Sequence, residues 1–117
     1  MKAIEIRNPA TLESIQLGEL EKPEPDHGEI CVRVRACSLN FHDYAVATGL
    51  MPVDDGRIPM SDGAGEVTAI GTGVDLFGVG DKVMSTFFPQ WSGGPVLASS
   101  TIGIPGDHVD GFAAEYV

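Results

Sequence analysis

Glycine and proline divide the apolar residues of this chain into short runs, and this division constrains its fold more than any other feature. The 117 residues include 15 glycines and 8 prolines, and these turn-forming residues recur between short apolar segments. Short runs bounded by turn residues are typical of β-strands joined by tight turns. The sequence therefore predicts a mainly β domain, built as a barrel or a sandwich.

Six segments have the composition of strands. The clearest is Glu29–Cys37, where apolar and other residues alternate with the period of two that places them on opposite faces of a strand. One predicted face carries Ile30, Val32, Val34 and Ala36, and the other carries Cys31, Arg33, Arg35 and Cys37. The six predicted strands are Lys2–Arg7, Ser14–Glu19, Glu29–Cys37, Gly65–Ile70, Lys82–Thr86 and Phe112–Val117.

One short helix is predicted from Phe41 to about Thr48. Asn40 is a favourable N-cap, and Asp43 stands three residues later, where an acidic side chain can bind the N-cap N–H. Gly49 can adopt the left-handed conformation that ends many helices. Because the helix is short, packing must stabilise it.

The charge of the chain restricts its partners. With 17 acidic and 7 basic side chains the formal net charge is −10, which repels nucleic acid and anionic membrane surfaces. No apolar run approaches the ~20 residues of a membrane span, and Met1-Lys2 leads into a strand rather than a signal peptide. We expect one cytoplasmic domain, residues 1–117, that binds neither nucleic acid nor membrane.

Two cysteines lie in the same predicted strand. Extended strand at ~3.3 Å per residue separates Cys31 and Cys37 by roughly 20 Å, whereas a disulfide needs Cα atoms within about 7 Å. We interpret both as buried small hydrophobic residues.

Two glycine-rich segments resemble the start of a dinucleotide fingerprint. Gly71-Thr72-Gly73 has Leu76 in place of the third glycine, and the segment that begins at Gly78 fails at the same point. A fingerprint also requires a following helix, and none is predicted here. Both segments are interpreted as tight turns.

Five short motifs occur along the chain in a characteristic order. They are Met1-Lys2-Ala3-Ile4, Gly28-Glu29-Ile30-Cys31-Val32-Arg33-Val34, Ser38-Leu39-Asn40-Phe41-His42-Asp43, Ser61-Asp62-Gly63-Ala64-Gly65-Glu66-Val67 and Gly111-Phe112-Ala113-Ala114-Glu115-Tyr116-Val117. In this order they resemble the N-terminal, GroES-like catalytic domain of medium-chain dehydrogenase/reductases, and are most similar to the zinc-free quinone oxidoreductase branch. This resemblance implies a partly open GroES-like barrel with one or two short helices and a long loop.

The residues that bind zinc in relatives are missing here. In zinc-bearing relatives a Gly-His-Glu triplet, whose His binds catalytic zinc, precedes Gly-Ala-Gly-Glu-Val, and Ser61 and Asp62 stand at the His and Glu positions. Asn40 stands where those relatives have a cysteine ligand, and residues 87–111, where a structural zinc lobe would lie, contain no cysteine. Zinc sites use thiolate, imidazole or carboxylate ligands. We therefore predict no metal.

In the zinc-free branch, the tetrad matched by Asn40-Phe41-His42-Asp43 lines the cleft where nicotinamide meets substrate. The resemblance makes Asn40 and Phe41 candidate cofactor neighbours, and an amide such as that of Asn40 can hydrogen-bond a developing oxyanion. Asn40 could instead only cap its helix, or serve both roles, and Asp43 is interpreted as structural. His42 could deliver a proton or be an ordinary polar surface residue.

The long segment 87–111 begins with aromatic residues and is predicted to be a functional loop. Phe87, Phe88 and Trp91 could form an apolar wall for substrate, with Tyr44 and Leu50 opposite, or a satellite cluster that packs the loop. Phe41 and Ser61 complete the predicted substrate contacts. Asp62, if buried, needs a backbone or arginine partner.

The resemblance implies a zinc-independent, NAD(P)H-dependent oxidoreductase that transfers hydride to a small molecule: a quinone, an enone or a related carbonyl. In the family a Rossmann domain, absent from this chain, binds most of the NADP or NAD, so residues 1–117 alone are expected to be inactive. A free-standing GroES-like interaction module without catalysis is the alternative. A third interpretation is a barrel that forms a homodimer through its exposed cleft.

We expect zinc neither to copurify with the chain nor to raise its melting temperature, because the ligand positions hold Asn40 and Ser61. Elemental analysis of the purified chain and thermal denaturation with added zinc measure this. A tightly bound, stoichiometric metal would contradict the interpretation of both residues.

Overall fold

The computed structural model describes residues 1–117, which form a mainly β fold with open sheets, one α-helix and short 3₁₀ turns. This confirms the predicted fold class. None of its helices has the length and apolar character that crossing a membrane requires. In chain order the elements are β1 (Lys2–Ile6), a 3₁₀ turn (Leu12–Ser14), β2 (Ile15–Glu19), β3 (Ile30–Ala36), α1 (Phe41–Ala47), β4 (Ala64–Ile70), β5 (Lys82–Met84) and a second 3₁₀ turn (Ala98–Thr101).

The strands form two antiparallel sheets. β1 pairs with β2, and β3, β4 and β5 form a second sheet in that order. The pairing of β3 with β4 shifts between Cys31 and Val32 and again between Val34 and Ala36. Such irregularities bend a strand and re-aim its side chains, so the predicted alternation along β3 holds only in part.

The two cysteines show this effect. Cys31 is buried as predicted, but Cys37, just beyond the second irregularity, is exposed. The prediction that both are buried is therefore wrong for Cys37. Both thiols are free.

Residues 112–117 do not form the predicted strand. Instead they bridge the two sheets, through isolated pairings of Ala114 with Ala3 in β1 and of Tyr116 with Arg33 in β3. The N–H of Ile4 donates to the Ala113 carbonyl (2.8 Å), and the N–H of Val34 donates to that of Glu115 (3.0 Å). Because the segment pairs first with β1 and then with β3, it does not form one continuous hydrogen-bonded ladder with either strand.

The helix is held by packing, as its length requires. Its buried residues Val46 and Ala47 form a small core with Ile6 of β1. Gly49 has a φ of 76° and follows Thr48 at the end of the helix. The predicted helix and its C-terminal glycine are confirmed.

The two glycine-rich segments and the long segment 87–111 contain little regular secondary structure. Gly73 and Gly80 have positive φ values and lie in turns, as expected for tight connections. Residues 87–111 are largely irregular, with the second 3₁₀ turn and one bridge between Pro105 and Val109.

The Gly-Ala-Gly motif allows β4 to approach its neighbours. A Cβ on Gly65 would overlap the backbone carbonyl oxygen of Arg33 in β3, and a Cβ on Gly63 would meet the ring of Phe112. A residue larger than glycine at either position could not pack this closely against its neighbour. The glycines of the motif therefore have a packing function.

Met60, just before the motif, has a φ of 81°, which is unusual for a residue with a side chain. Its carbonyl accepts a hydrogen bond from the N–H of Phe112 (2.9 Å). Gly106 and Gly111 lie so close that a Cβ on either would meet Met60 backbone atoms. The end of the long loop thus holds the backbone that leads into Ser61.

Gly65→Ala is expected to lower the free energy of unfolding by about 1–3 kcal/mol, because the added methyl group forces β3 and β4 apart. Gly78→Ala is the matched control, since a Cβ there has no atom closer than 3.9 Å. Chemical denaturation of both variants measures the difference. Equal stability of the two would contradict the packing function of Gly65.

Candidate active site

The start of α1 is anchored by Asp43, whose side chain is buried (4% exposed). One carboxylate oxygen, Oδ2, accepts the N–H of Asn40 (2.8 Å), and the other, Oδ1, accepts the N–H of Ser61 (2.7 Å). The predicted role of Asp43 as a helix-start acid is confirmed. Its second bond, which the sequence did not reveal, ties the helix to the segment before β4.

The Asn40 side chain does not cap the helix. The residue occupies the N-cap and its backbone carbonyl accepts the N–H of Asp43 (3.1 Å), but no side-chain cap bond is formed. Its Nδ2 instead donates to Ser61 Oγ (3.1 Å) and to Asp62 Oδ2 (3.0 Å). The interpretation of Asn40 as a helix cap alone is therefore wrong, because its side chain joins Ser61 and Asp62 instead.

Ser61 lies in the interior, with 0% of its surface exposed. Its Oγ accepts from Asn40 and its N–H donates to Asp43. A side chain without exposed surface cannot touch a substrate in this conformation. The predicted substrate contact at Ser61 is corrected to a positioning role for Asn40.

Asp62 is ionised and well partnered. Its Oδ1 accepts the Ser38 N–H (3.0 Å), and its Oδ2 lies 2.8 Å from the Ser38 hydroxyl and 3.0 Å from Asn40 Nδ2. The Ser38 N–H and then the Asn40 amide hold the pKa of Asp62 below its usual range. The backbone partner expected for Asp62 is present.

A cavity of about 350 Å³ opens beside this network. Cys37, Ser38, Asp62, Ser85 and Phe87 contribute to its wall. Cys37 donates its S–H to the Phe112 carbonyl (3.3 Å). Although Cys37 as a whole residue is exposed, partial burial of its thiol, followed by the charges of Asp62 and Asp43, raises the pKa of that thiol. A raised pKa disfavours the thiolate that nucleophilic attack requires.

His42 is not an ordinary surface residue, because only 14% of its side chain is exposed. Its ring packs edge-on against Phe87, with 5.3 Å between the centroids. Its Nε2 makes no hydrogen bond and lies 3.8 Å from Asp107 Oδ2. No local sequence pattern indicates this pair, because His42 and Asp107 lie far apart in the chain.

Asp107 also faces His108, a residue to which the sequence assigned no role. The Nε2 of His108 lies 3.9 Å from the same Asp107 oxygen, and its Nδ1 faces the N–H of Ile104 (3.3 Å). Two imidazoles therefore flank one carboxylate beside α1.

The predicted apolar substrate contacts, which are the aromatic wall and Phe41, lie in separate places. Phe41 and Tyr44 lie on the outer surface, 6.2 Å between ring centroids, with Phe41 79% exposed. Phe87 packs against Phe88 (4.8 Å) and His42, which favours the satellite cluster. The exposed Leu50 and Trp91 do not line the cavity that includes Phe87, and Trp91 Nε1 donates to Gly94 in its own loop.

The donor set does not fit zinc. Asn40 turns its N–H groups, which cannot bind a cation, toward Ser61 and Asp62. No group of three or more His, Cys, Asp or Glu side chains could hold a metal ion. Of Asn40, Ser61 and Asp62, only Asp62 has a side chain of a type that zinc uses as a ligand.

We expect Asp62→Asn to lower the melting temperature at neutral pH and to have less effect in acid. Because the pKa of Asp62 is lowered on folding, its stabilisation is fully present above the unfolded pKa of ~3.9. It is lost as the pH falls through the folded-state pKa. Thermal melts from neutral to strongly acidic pH should show the gap between wild type and variant narrowing.

The exposed Asp75, which makes no hydrogen bond, supplies the control Asp75→Asn, for which little change is expected at any pH. A gap for Asp62→Asn that stayed constant across this range would contradict the assignment.

The sequence pattern of the alcohol dehydrogenase GroES-like domain matches residues 26–117. Among curated relatives, a mycocerosic acid synthase-like polyketide synthase of Mycolicibacterium smegmatis is 48% identical over 80 residues, 67% of this chain. The chain spans only 4% of that relative's length.

Solved structures show the same relationship. A thermostable alcohol dehydrogenase from Pyrobaculum aerophilum superimposes with a TM-score of 0.85 and 30% identity, over 100% of this chain and 38% of its own. The Escherichia coli quinone oxidoreductase in complex with NADPH gives a TM-score of 0.67 and 29% identity, over 72% of this chain and 26% of its own. The fold alone therefore does not favour the quinone oxidoreductase branch over the alcohol dehydrogenases. The chain belongs to the alcohol dehydrogenase GroES-like domain family of medium-chain oxidoreductases.

Proposed function

We propose that residues 1–117 form the substrate-binding part of a zinc-independent NAD(P)H-dependent reductase. The observation that carries the proposal is the closed network in which Asn40 bonds to Ser61 and Asp62. By resemblance, Asn40 and Ser61 stand at positions of zinc ligands in zinc-bearing relatives. In a domain of an oxidoreductase family, this network replaces the metal with hydrogen bonds and leaves a cavity beside them. Without a Lewis acid, the substrate must be one that accepts hydride readily.

The comparisons support a conjugated carbonyl acceptor. The E. coli neighbour is a quinone oxidoreductase. Another relative, 34% identical over 83 residues, is a highly reducing polyketide synthase of Purpureocillium lilacinum. A quinone, an enone and an α,β-unsaturated acyl thioester share one electronic feature, a double bond conjugated to a carbonyl that spreads the incoming charge onto oxygen. We assign the substrate to this class.

The similarity of this chain to zinc-bearing enzymes is the main argument against zinc independence. The Pyrobaculum enzyme also occurs as a cobalt- and zinc-bound structure, with a TM-score of 0.85 to this chain. Its fold is shared, but the residues that would hold a metal here are an inward-turned amide and a buried hydroxyl. Zinc independence therefore rests on donor chemistry, not on fold.

The proposal assigns different steps of the reaction to different residues around the start of the helix. When bound, the reduced dinucleotide supplies the hydride, and Asn40 and Phe41 are the residues proposed to adjoin it. Addition at the β-carbon moves the electron pair of the double bond toward the carbonyl oxygen and gives an enolate, which must then take up a proton. His42 is the proposed donor, because its Nε2 makes no hydrogen bond and lies 3.8 Å from the Asp107 carboxylate, which can orient the ring. This nitrogen is buried, so proton delivery requires a movement that exposes it to the substrate.

An interaction module remains the second candidate. Several large apolar residues are strongly exposed, with Leu76 at 90% and Met84 at 80%, and such surface favours association. A module would neither oxidise NADPH nor depend on His42.

The proposal is tested by purifying the protein as its gene encodes it and following NADPH or NADH oxidation with crotonyl-coenzyme A, a cyclic enone and a quinone. We expect reduction of at least one acceptor that persists after treatment with a chelator. His42→Gln should lower kcat by about a hundredfold or more if it donates the proton.

His27→Gln is the matched control, since His27 is exposed and its Nδ1 lies 3.1 Å from Thr72 Oγ1. Metal-dependent oxidation of alcohols without reduction of these acceptors would contradict the proposal. Unchanged kcat in His42→Gln would remove His42 from the mechanism.

A further inference from the structure

The Asn40 amide is the polar group that the proposed function places next to cofactor and substrate, and its orientation decides what it can bind. An asparagine amide has two N–H donors and one carbonyl acceptor. Here both N–H directions are used inside the chain, toward Ser61 Oγ at 3.1 Å and Asp62 Oδ2 at 3.0 Å. No donor remains to meet a ligand.

Asp62 fixes this orientation. Its carboxylate already accepts the N–H and the hydroxyl of Ser38, and an ionised carboxylate can only accept hydrogen bonds. If the Asn40 amide were flipped, its carbonyl oxygen would face the Asp62 carboxylate, and two acceptors would be in contact. Ser61, whose hydroxyl can donate or accept, does not impose such a choice by itself.

The Asn40 carbonyl oxygen is left open. No side-chain cap bond reaches it, since the N–H of Asp43 donates to the Asn40 backbone carbonyl (3.1 Å), and Asn40 is only half-buried. The buried polar side-chain atoms without a partner are His42 Nε2 and Arg57 Nε, so Asn40 Oδ1 is reachable from solvent. Its hydrogen-bond partner Asp62 lines the adjacent cavity and adds negative charge there.

We propose that Asp62 is a positioning residue that turns the Asn40 carbonyl outward, so that Asn40 recognises an N–H donor such as a primary carboxamide and does not bind an oxyanion. This rests on the proposed function for the role of the bound group, but not for the orientation itself. It revises the expectation that the amide stabilises the developing oxyanion. That charge is left to other groups, of which His42 is the nearest candidate on the same helix.

The orientation is tested on residues 1–117 by NMR, without cofactor or substrate. Exchange of the Asn40 side-chain N–H protons with water should be slower than that of Gln90, whose exposed side chain makes no hydrogen bond. In Asp62→Asn, which can present either a donor or an acceptor to Asn40, exchange should accelerate about fivefold, the effect of losing one ordinary hydrogen bond. Asp55→Asn is the control. Like Asp62, Asp55 accepts hydrogen bonds from a backbone N–H and from a side chain, but its donors are Asn8 and Arg7.

Ligand preference is measured with nicotinamide and nicotinate, which share a ring and differ in carrying a carboxamide or a carboxylate. At equal concentration, nicotinamide should shift the Asn40 side-chain resonances more than nicotinate, and Asp62→Asn should reduce this preference while Asp55→Asn retains it. A merely structural role for Asp62 would not alter the preference.

Asn40 exchange as fast as that of Gln90, or unaltered by Asp62→Asn, would overturn the orientation. Equal shifts with the two probes, including none with either, or larger shifts with nicotinate, would overturn the donor recognition. Neither result depends on hydride transfer, so failure here is distinguishable from failure of the proposed function.

Discussion

The buried carboxylate of Asp43 is the interaction on which the rest of the site depends. It accepts backbone N–H groups from both Asn40 and Ser61, 2.8 and 2.7 Å away, and so joins the first turn of the helix to the segment that enters β4. A buried carboxylate is costly unless it is hydrogen-bonded, and these two donors offset that cost. The same bonds bring the Asn40 side chain to Ser61 and Asp62. The geometry of the candidate site therefore follows from one side chain that makes no contact with its cavity.

The long loop holds this arrangement from the other side. Its end passes over Met60, whose unusual backbone conformation is enclosed by Gly106 and Gly111, and it carries Asp107 to His42. Residues 112–117 then join the two sheets. A loop with little regular structure thus determines both the backbone that precedes Ser61 and the surroundings of the proposed proton donor.

The features that sequence reasoning predicted are those that depend on neighbouring residues. The helix start at Asn40 and Asp43, the terminal Gly49 and five of the six strands follow from local patterns, and the order of the motifs identified the family. The errors concern distant contacts. The exposure of Cys37 depends on a register shift against β4, and the bridging of residues 112–117 on two sheets competing for one segment. The burial of Ser61 and the pairing of Asp107 with His42 depend on how the loop folds back, which no local pattern encodes.

The central claim is that Asp43 couples the helix start to Ser61, and hydrogen exchange at the two backbone amides tests it most directly. In wild type, the N–H groups of Asn40 and Ser61 should both be protected. In Asp43→Ala, both should lose protection together, although they are far apart in the sequence, while the N–H of Ile4, bonded to Ala113 (2.8 Å), remains the reference for the sheets. Protection of Asn40 and Ser61 that survived the substitution would contradict the claim.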